Sequence, residues 1–130
     1  MIDTMRATMA LVTMALVMTL LPVGAARAEG DPVRGEARFQ ECAACHKLEA
    51  GANEVGPSLH SLFTRKAGEL ADFRFSPAMK RSGIVWTPET LEKYIADPQA
   101  MVPANRMPYA GMASANDRAD LIAYLSKATK

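Results

Sequence analysis

Two thiols and an imidazole fall within five consecutive residues, Cys42-Ala43-Ala44-Cys45-His46. Cysteines three positions apart share one face of a helical turn, so both sulfurs can reach one edge of a porphyrin and join its two vinyl groups as thioethers. An imidazole directly after the second thiol can ligate the iron from one side of the macrocycle. C-x-x-C-H is accordingly the attachment pattern of a c-type haem. It specifies one covalent haem and one axial ligand, and leaves open whether the iron carries electrons, binds gases or catalyses a reaction. Rival uses of the same residues fit less well. A thiol-redox or zinc module using the two cysteines with His46 and His60 lacks a βαβ setting and two further cysteines, and both cysteines of this chain are spent in the motif. His60 reads as a surface histidine, because an iron ligand must be aimed by its fold.

A second axial ligand has to come from elsewhere. Of nine methionines, Met1, Met5, Met9, Met14 and Met18 crowd the first stretch, which leaves Met79, Met101, Met107 and Met112. A lone methionine is usually a gap-filler. Met107, however, stands in Arg106-Met107-Pro108-Tyr109, four residues after Pro103, where prolines limit the wandering of the backbone and lower the entropy cost of holding a weak ligand. Spacing alone keeps Met101 and Met112 open as well. A neutral thioether donates less charge than imidazole or thiolate, so it favours ferrous iron and raises the potential.

These residues need elements to position them. Asp31-Pro32 is a cap followed by proline at the first helical position and predicts a helix running to Cys42, with Gly35 and Phe39 on one face. A glycine inside a short helix suggests a close crossing with another helix. Residues 47–58 read as a loop; a carbonyl from it could hold the second ring N–H of His46. A short helical turn is expected over Leu59–Phe63. Thr87-Pro88 repeats the cap-then-proline signal, and Leu91, Tyr94 and Ile95 form one apolar stripe of a helix ending near Asp97-Pro98. Residues 98–116 lack a period and carry three prolines, hence a stiffened loop. A last helix runs from Asp117 to Lys127, with Ser114 and Asp117 at capping-box spacing. No strand alternates.

The first 28 residues read as an export signal: an uncharged apolar run over residues 7–21 follows Arg6, Pro22 and Gly24 break it, and Ala26-Arg27-Ala28 offers a cleavage site after Ala28. Residues 29–130 are then one small domain. Export to the periplasm suits haem attachment outside the cytoplasm, and no cysteine remains for a structural disulfide. Setting aside Asp3, Arg6 and Arg27 leaves 13 of the 15 basic and 13 of the 14 acidic residues. That balance gives no case for nucleic acid as a partner. Basic residues Arg65, Lys66, Arg74, Lys80 and Arg81, interleaved with Phe73, Phe75 and Trp86, read instead as pocket lining plus donors for haem propionates.

The ordered set of CAACH, GPSLHSLFTRKAG, WTPETL, YIADP, VPANRMPYAGM and DLIAYLSK, with Gly35 and Phe39 ahead of it, resembles a class I cytochrome c of the mitochondrial or bacterial periplasmic type. The likeness covers nearly all of residues 29–130. It implies an all-α fold in which N- and C-terminal helices cross, with three to five helices around one haem c attached through Cys42 and Cys45. It implies that His46 and Met107 are the iron ligands, Met107 rather than Met112, and that the Pro57 carbonyl orients His46. Gly35 and Phe39 would cross the last helix at Leu121 and Tyr124, Arg65 and Trp86 would sit by the buried propionate, and the Tyr94 hydroxyl would lie near the methionine sulfur.

The function implied is a monomeric one-electron carrier of the periplasm, not an enzyme. It would serve respiratory or photosynthetic complexes: a cytochrome bc-type complex, a terminal oxidase, a reaction centre or a dehydrogenase. No stable membrane insertion is expected once the signal is cleaved. The alternatives are a dedicated electron-accepting subunit of one periplasmic dehydrogenase, and a haem enzyme or gas sensor with an open axial site. Three positions depart from the family pattern. Phe75 stands where many relatives have a propionate-binding tyrosine, Met79 where they have a buried asparagine, and Asn105 where they have threonine; the two polar groups lost at Phe75 and Met79 predict a drier pocket with an altered potential. Around the exposed haem edge, Glu41, Gln99, Ala100, Ala113 and Ser114 replace the usual lysines, with Arg106 a basic survivor.

Overall fold

A computed structural model describes residues 29–130; the expected export signal and its cleavage after Ala28 lie outside the described residues. Five helices follow in order: α1 (Pro32–Ala43), α2 (Pro77–Arg81), α3 (Pro88–Ala96), α4 (Pro98–Met101) and α5 (Ala115–Ala128), with a 3-10 turn at Leu62–Thr64. Among the described residues the only β pairing is an isolated antiparallel bridge between Lys66 and Val85. No helix of theirs is long and apolar enough to cross a membrane. The all-α expectation, with terminal helices packed together, is met.

Local chemistry accounts for where the helices start. The Asp31 carboxylate accepts from the Val33 and Arg34 amides and Pro32 opens α1, filling donors that the first turn cannot pair internally. Thr87 and Thr90 form a reciprocal capping box at α3, threonine taking the place of the usual Glu or Gln. Ser114 caps α5 through the Asp117 amide, so the helix begins two residues before the expected Asp117. Two short helices contradict the sequence reading. Ser76-Pro77 opens α2, a helix absent from that reading, with Ser76 Oγ accepting from the Met79 amide at 3.0 Å. Asp97-Pro98, expected to end a helix and begin a loop, also starts α4, because Asp97 Oδ1 accepts from the Ala100 amide. Helices of five and four residues show too little period to be read from a sequence. The remainder of the 98–116 segment is irregular, as expected.

α1 crosses α5 closely. A Cβ on Gly35 would collide with the backbone carbonyl of Asp120 and crowd Tyr124; Phe39 and Tyr124 pack with ring centroids 5.5 Å apart. Leu121, 1% exposed, sits in the same apolar core as Phe39. The crossing is also tied by charge. Arg34 Nε donates to Asp120 Oδ2 at 2.7 Å and Arg34 Nη2 to Asp120 Oδ1 at 2.9 Å, while the Asp31 amide donates to Oδ1. Arg118 on α5 holds α3 through Glu92 at 2.8 Å and takes the carbonyls of Met112 and Ala113. The apolar stripe Leu91, Tyr94 and Ile95 of α3 is buried. These contacts leave a hollow between the end of α1, the 102–112 segment and the Arg65–Trp86 stretch.

Candidate functional site

That hollow is a largely apolar cavity of about 290 Å³. All eight residues expected to hold a cofactor line it: Cys42, Cys45, His46, Pro57, Arg65, Trp86, Tyr94 and Met107. Met79 lines it too, whereas Met101 and Met112 do not. Met112 is buried behind the loop, its amide donating to the Ile95 carbonyl. His60 is half-buried beside a separate polar hollow with Ser58 and Thr64.

Cys42 lies in the last turn of α1 and Cys45 just beyond it. The Cys45 and His46 amides both donate to the Cys42 carbonyl, at 3.0 and 2.9 Å, so the helix end holds both thiols and the imidazole in one short turn. The thiols are free and half-buried. Burial pushes the Cys42 thiol up to about 11, with Glu41 and Cys45 adding to it.

His46 Nδ1 lies 2.7 Å from the Pro57 carbonyl oxygen. A carbonyl only accepts, so Nδ1 carries the proton and Nε2 keeps its lone pair for a metal. Burial lowers the pKa of His46 against the opposing effect of that hydrogen bond, and the Arg65 charge lowers it further, which favours the neutral ring a metal requires. The loop is clamped to the motif through Gly56 N to Cys45 O and Leu59 N to Lys47 O, both at 2.8 Å. Gly56 leaves the space the ring occupies, since a Cβ there would lie 2.5 Å from His46 Cε1.

Across the sequence, Met107 is addressed by α3. The Tyr94 hydroxyl donates to Met107 Sδ at 3.5 Å, engaging one of the sulfur's lone pairs and leaving the other. Burial pushes the Tyr94 phenol up to about 12, so it remains a donor. Its ring packs edge-on against Trp86 with centroids 5.1 Å apart. The isolated bridge explains why Trp86 and Arg65 are neighbours: the Trp86 amide donates to the Arg65 carbonyl at 3.2 Å. The Arg65 guanidinium is half-buried and donates to the His60 and Ser58 carbonyls; its burial lowers its pKa, opposed by Asp72 and Glu69. Phe75 and Met79, the two apolar departures, both line the cavity, and Phe73 packs against Phe75.

Two features escaped the sequence. Tyr109 donates to Glu41 Oε2 at 2.9 Å across 68 residues, joining the methionine loop to the end of α1 at the cavity mouth. Burial and then Glu41 raise the Tyr109 pKa. Its only sequence signal is an aromatic two places after a loop methionine. Asn105 is buried and its side chain is bonded wholly within its own loop and the start of α4; an asparagine after Pro103-Ala104 is a turn signal that does not reveal its partners.

The residues fit a haem. The donor set around the cavity is two thiols, one neutral imidazole and one thioether, and the walls are apolar.

Comparison with known proteins agrees. Residues 32–129 match the family model described as Cytochrome c. The chain is 51% identical to cytochrome c2 iso-2 of Magnetospirillum fulvum over 87 residues, covering 67% of this chain and 91% of that one. It is 46% identical to cytochrome c2 of Rhodoblastus acidophilus over 99 residues, 75% and 92% of the two chains. Against cytochrome c of Arabidopsis thaliana the figure is 40% over 104 residues, 78% and 93%.

Proposed function

We propose that this chain, which belongs to the cytochrome c family and carries one covalently attached haem c, is a one-electron carrier exported to the periplasm. The observation that carries the reading is that two side chains with metal-binding atoms, His46 and Met107, line one cavity and each has a fixed partner of its own. Were His46 and Met107 both to hold the iron, it would keep no open position for a substrate or gas, which separates a carrier from a haem enzyme or sensor.

The haem supplies a one-electron couple at its iron. The chain's residues do the rest. Cys42 and Cys45 anchor the macrocycle, Pro57 keeps His46 in the tautomer that binds metal, and Tyr94 holds the thioether. Apolar walls exclude water, which disfavours the more positive oxidised centre and raises the potential in the same direction as methionine ligation. Arg65 and Trp86 are assigned to a buried propionate, where a half-buried guanidinium beside an indole supplies a fixed charge. The optical spectrum of the ferric protein tests the reading. A weak red band, present in the protein and lost in Met107→Ala, is expected; a high-spin spectrum would sink the carrier and support an enzyme or sensor.

Its partners are membrane or periplasmic redox proteins: a cytochrome bc-type complex with a terminal oxidase or reaction centre. One observation keeps a second reading, a dedicated acceptor for one dehydrogenase. Glu41 at the cavity mouth is an acid, and its charge is engaged by Tyr109, so a lysine-ringed docking edge is absent at that point. Reduction kinetics against membrane fractions and against periplasmic extract separate the two readings.

A further inference from the structure

We propose that Asn105 is the positioning residue of the methionine loop, and that its side-chain hydrogen bonds set how readily Met107 leaves the iron. The inference rests on the reading of Met107 as an axial ligand. The loop between α4 and Met107 is short, and the proline stiffness noted in the sequence does not explain its geometry. Ala104 has φ +66°, a left-handed conformation that a residue with a Cβ adopts only when its surroundings hold it there. The holding atoms belong to Asn105. Its Nδ2 donates to the carbonyls of Pro98 at 2.8 Å and Val102 at 2.9 Å, and its Oδ1 accepts from the Met107 amide at 2.8 Å. Its backbone closes the turn as well, through Asn105 N to Val102 O at 3.1 Å, and Gln99 Nε2 reaches the Asn105 carbonyl at 3.2 Å.

One carboxamide therefore ties the start of α4, its end and the ligand residue together. Only a side chain with two donors and an acceptor on a short stem can do this; threonine has one hydroxyl, and aspartate has no donor when ionised. Asn105 is 8% exposed, so water cannot take over these bonds in place. Opening the loop to free the Met107 sulfur must break them. An exogenous ligand that competes for the iron binds only the open fraction, and its apparent affinity falls by that fraction.

Imidazole titration of the ferric haem protein reads this directly, with loss of the red band as the signal and denaturant unfolding measured alongside. Asn105→Leu, which keeps the branched outline of the side chain and removes all three of its hydrogen bonds, should tighten imidazole about tenfold or more. Asn105→Asp, which keeps the acceptor for the Met107 amide but turns a carboxylate oxygen toward the Pro98 and Val102 carbonyls, should also tighten imidazole relative to the parent. Gln99→Ala removes only the outer bond and should give a smaller shift in the same direction; it decides the matter with Asn105→Asp if Asn105→Leu does not fold. Equal imidazole affinities across the variants, with the red band lost in Met107→Ala, would overturn the role of Asn105 alone, as would lowered global stability with unchanged affinity. A red band that survives Met107→Ala would instead remove the ligand reading beneath it.

Discussion

At the scale of single residues, the site depends on second partners that fix the ligand atoms. His46 is a usable ligand because Pro57 O accepts its Nδ1 proton, and Met107 is addressed by one phenol. Tyr94 OH donates to the Met107 sulfur at 3.5 Å; with Met107 as the proposed ligand, that bond would lessen what the thioether gives to iron and so favour the ferrous state. Tyr94→Phe keeps the ring and its packing on Trp86 while removing that donor. The potential should therefore fall, with global stability changed by less than about 1 kcal/mol, since no buried acceptor but a weak thioether is left unpaired. A redox titration of the variant beside the parent measures it; an unchanged or raised potential would refute this account of the hydroxyl. The cysteines and His46 were legible because their chemistry lies within five residues. Spacing alone kept Met101 and Met112 open beside Met107; the cavity lining and the contact from α3 set Met107 apart from them. The Tyr109–Glu41 bond joins residues 68 apart, and no local pattern encodes such a pair.

Among the elements, the crossing of α1 and α5 holds the C-x-x-C-H turn in place, because the helix that crosses at Gly35 carries Cys42 at its end. Gly35→Ala puts a methyl against the Asp120 carbonyl, and backbone cannot rotate aside as a side chain can. Overpacking of this kind should cost about 1–3 kcal/mol, measured by denaturant unfolding, whereas a loss below about 0.5 kcal/mol would mean that the helices slide apart freely. The same crossing carries a pH dependence. Arg34 hydrogen bonds first, then the Asp31 amide, hold the Asp120 carboxyl below its usual range. A depressed folded-state pKa adds stability that is present above the unfolded carboxylate value, about 3.9, and is lost as pH falls through the folded value. Asp120→Asn should lower Tm near neutrality, and its gap from the parent should close below about pH 4; a gap independent of pH would assign the effect to packing. Elements with a cap and a full stripe, α1, α3 and α5, were readable. α2 and α4 carry the same cap-then-proline start at Ser76-Pro77 and Asp97-Pro98 but are too short to show a period, so the cap alone had to carry the signal, and a cap alone reads equally well as a boundary.

For the whole molecule, the electron's destination is decided by the surface rather than by the cavity. Residues 29–130 balance 13 basic against 13 acidic side chains, so long-range attraction to an acidic partner would have to come from local clustering. In the cavity lining, Glu41 accepts from Tyr109, and Lys66, Arg74 and Arg106 are exposed bases; Gln99, Ala100, Ala113 and Ser114, where lysines would be expected, are exposed and uncharged. Exposed charges farther apart than about 8 Å are largely screened at physiological salt, so bases elsewhere on the chain contribute little to aiming this mouth. Association steered by a lysine ring gains orders of magnitude at low salt and loses them as salt is added. Among the positions expected to carry lysines, Arg106 alone is basic and Glu41 is acidic, so that gain should be small, with Lys66 and Arg74 of the cavity lining supplying what there is. The second-order rate of electron transfer to a terminal oxidase with an acidic docking site should change by less than about threefold between low and physiological ionic strength, followed by stopped-flow spectroscopy of the haem. Glu41→Lys should raise the rate at low salt and introduce the missing salt dependence, because it reverses the charge at the mouth and removes the acceptor of Tyr109. A steep fall in rate with salt for the unaltered protein would show that bases outside this edge steer the encounter, and would move the docking surface away from the Glu41–Tyr109 bond.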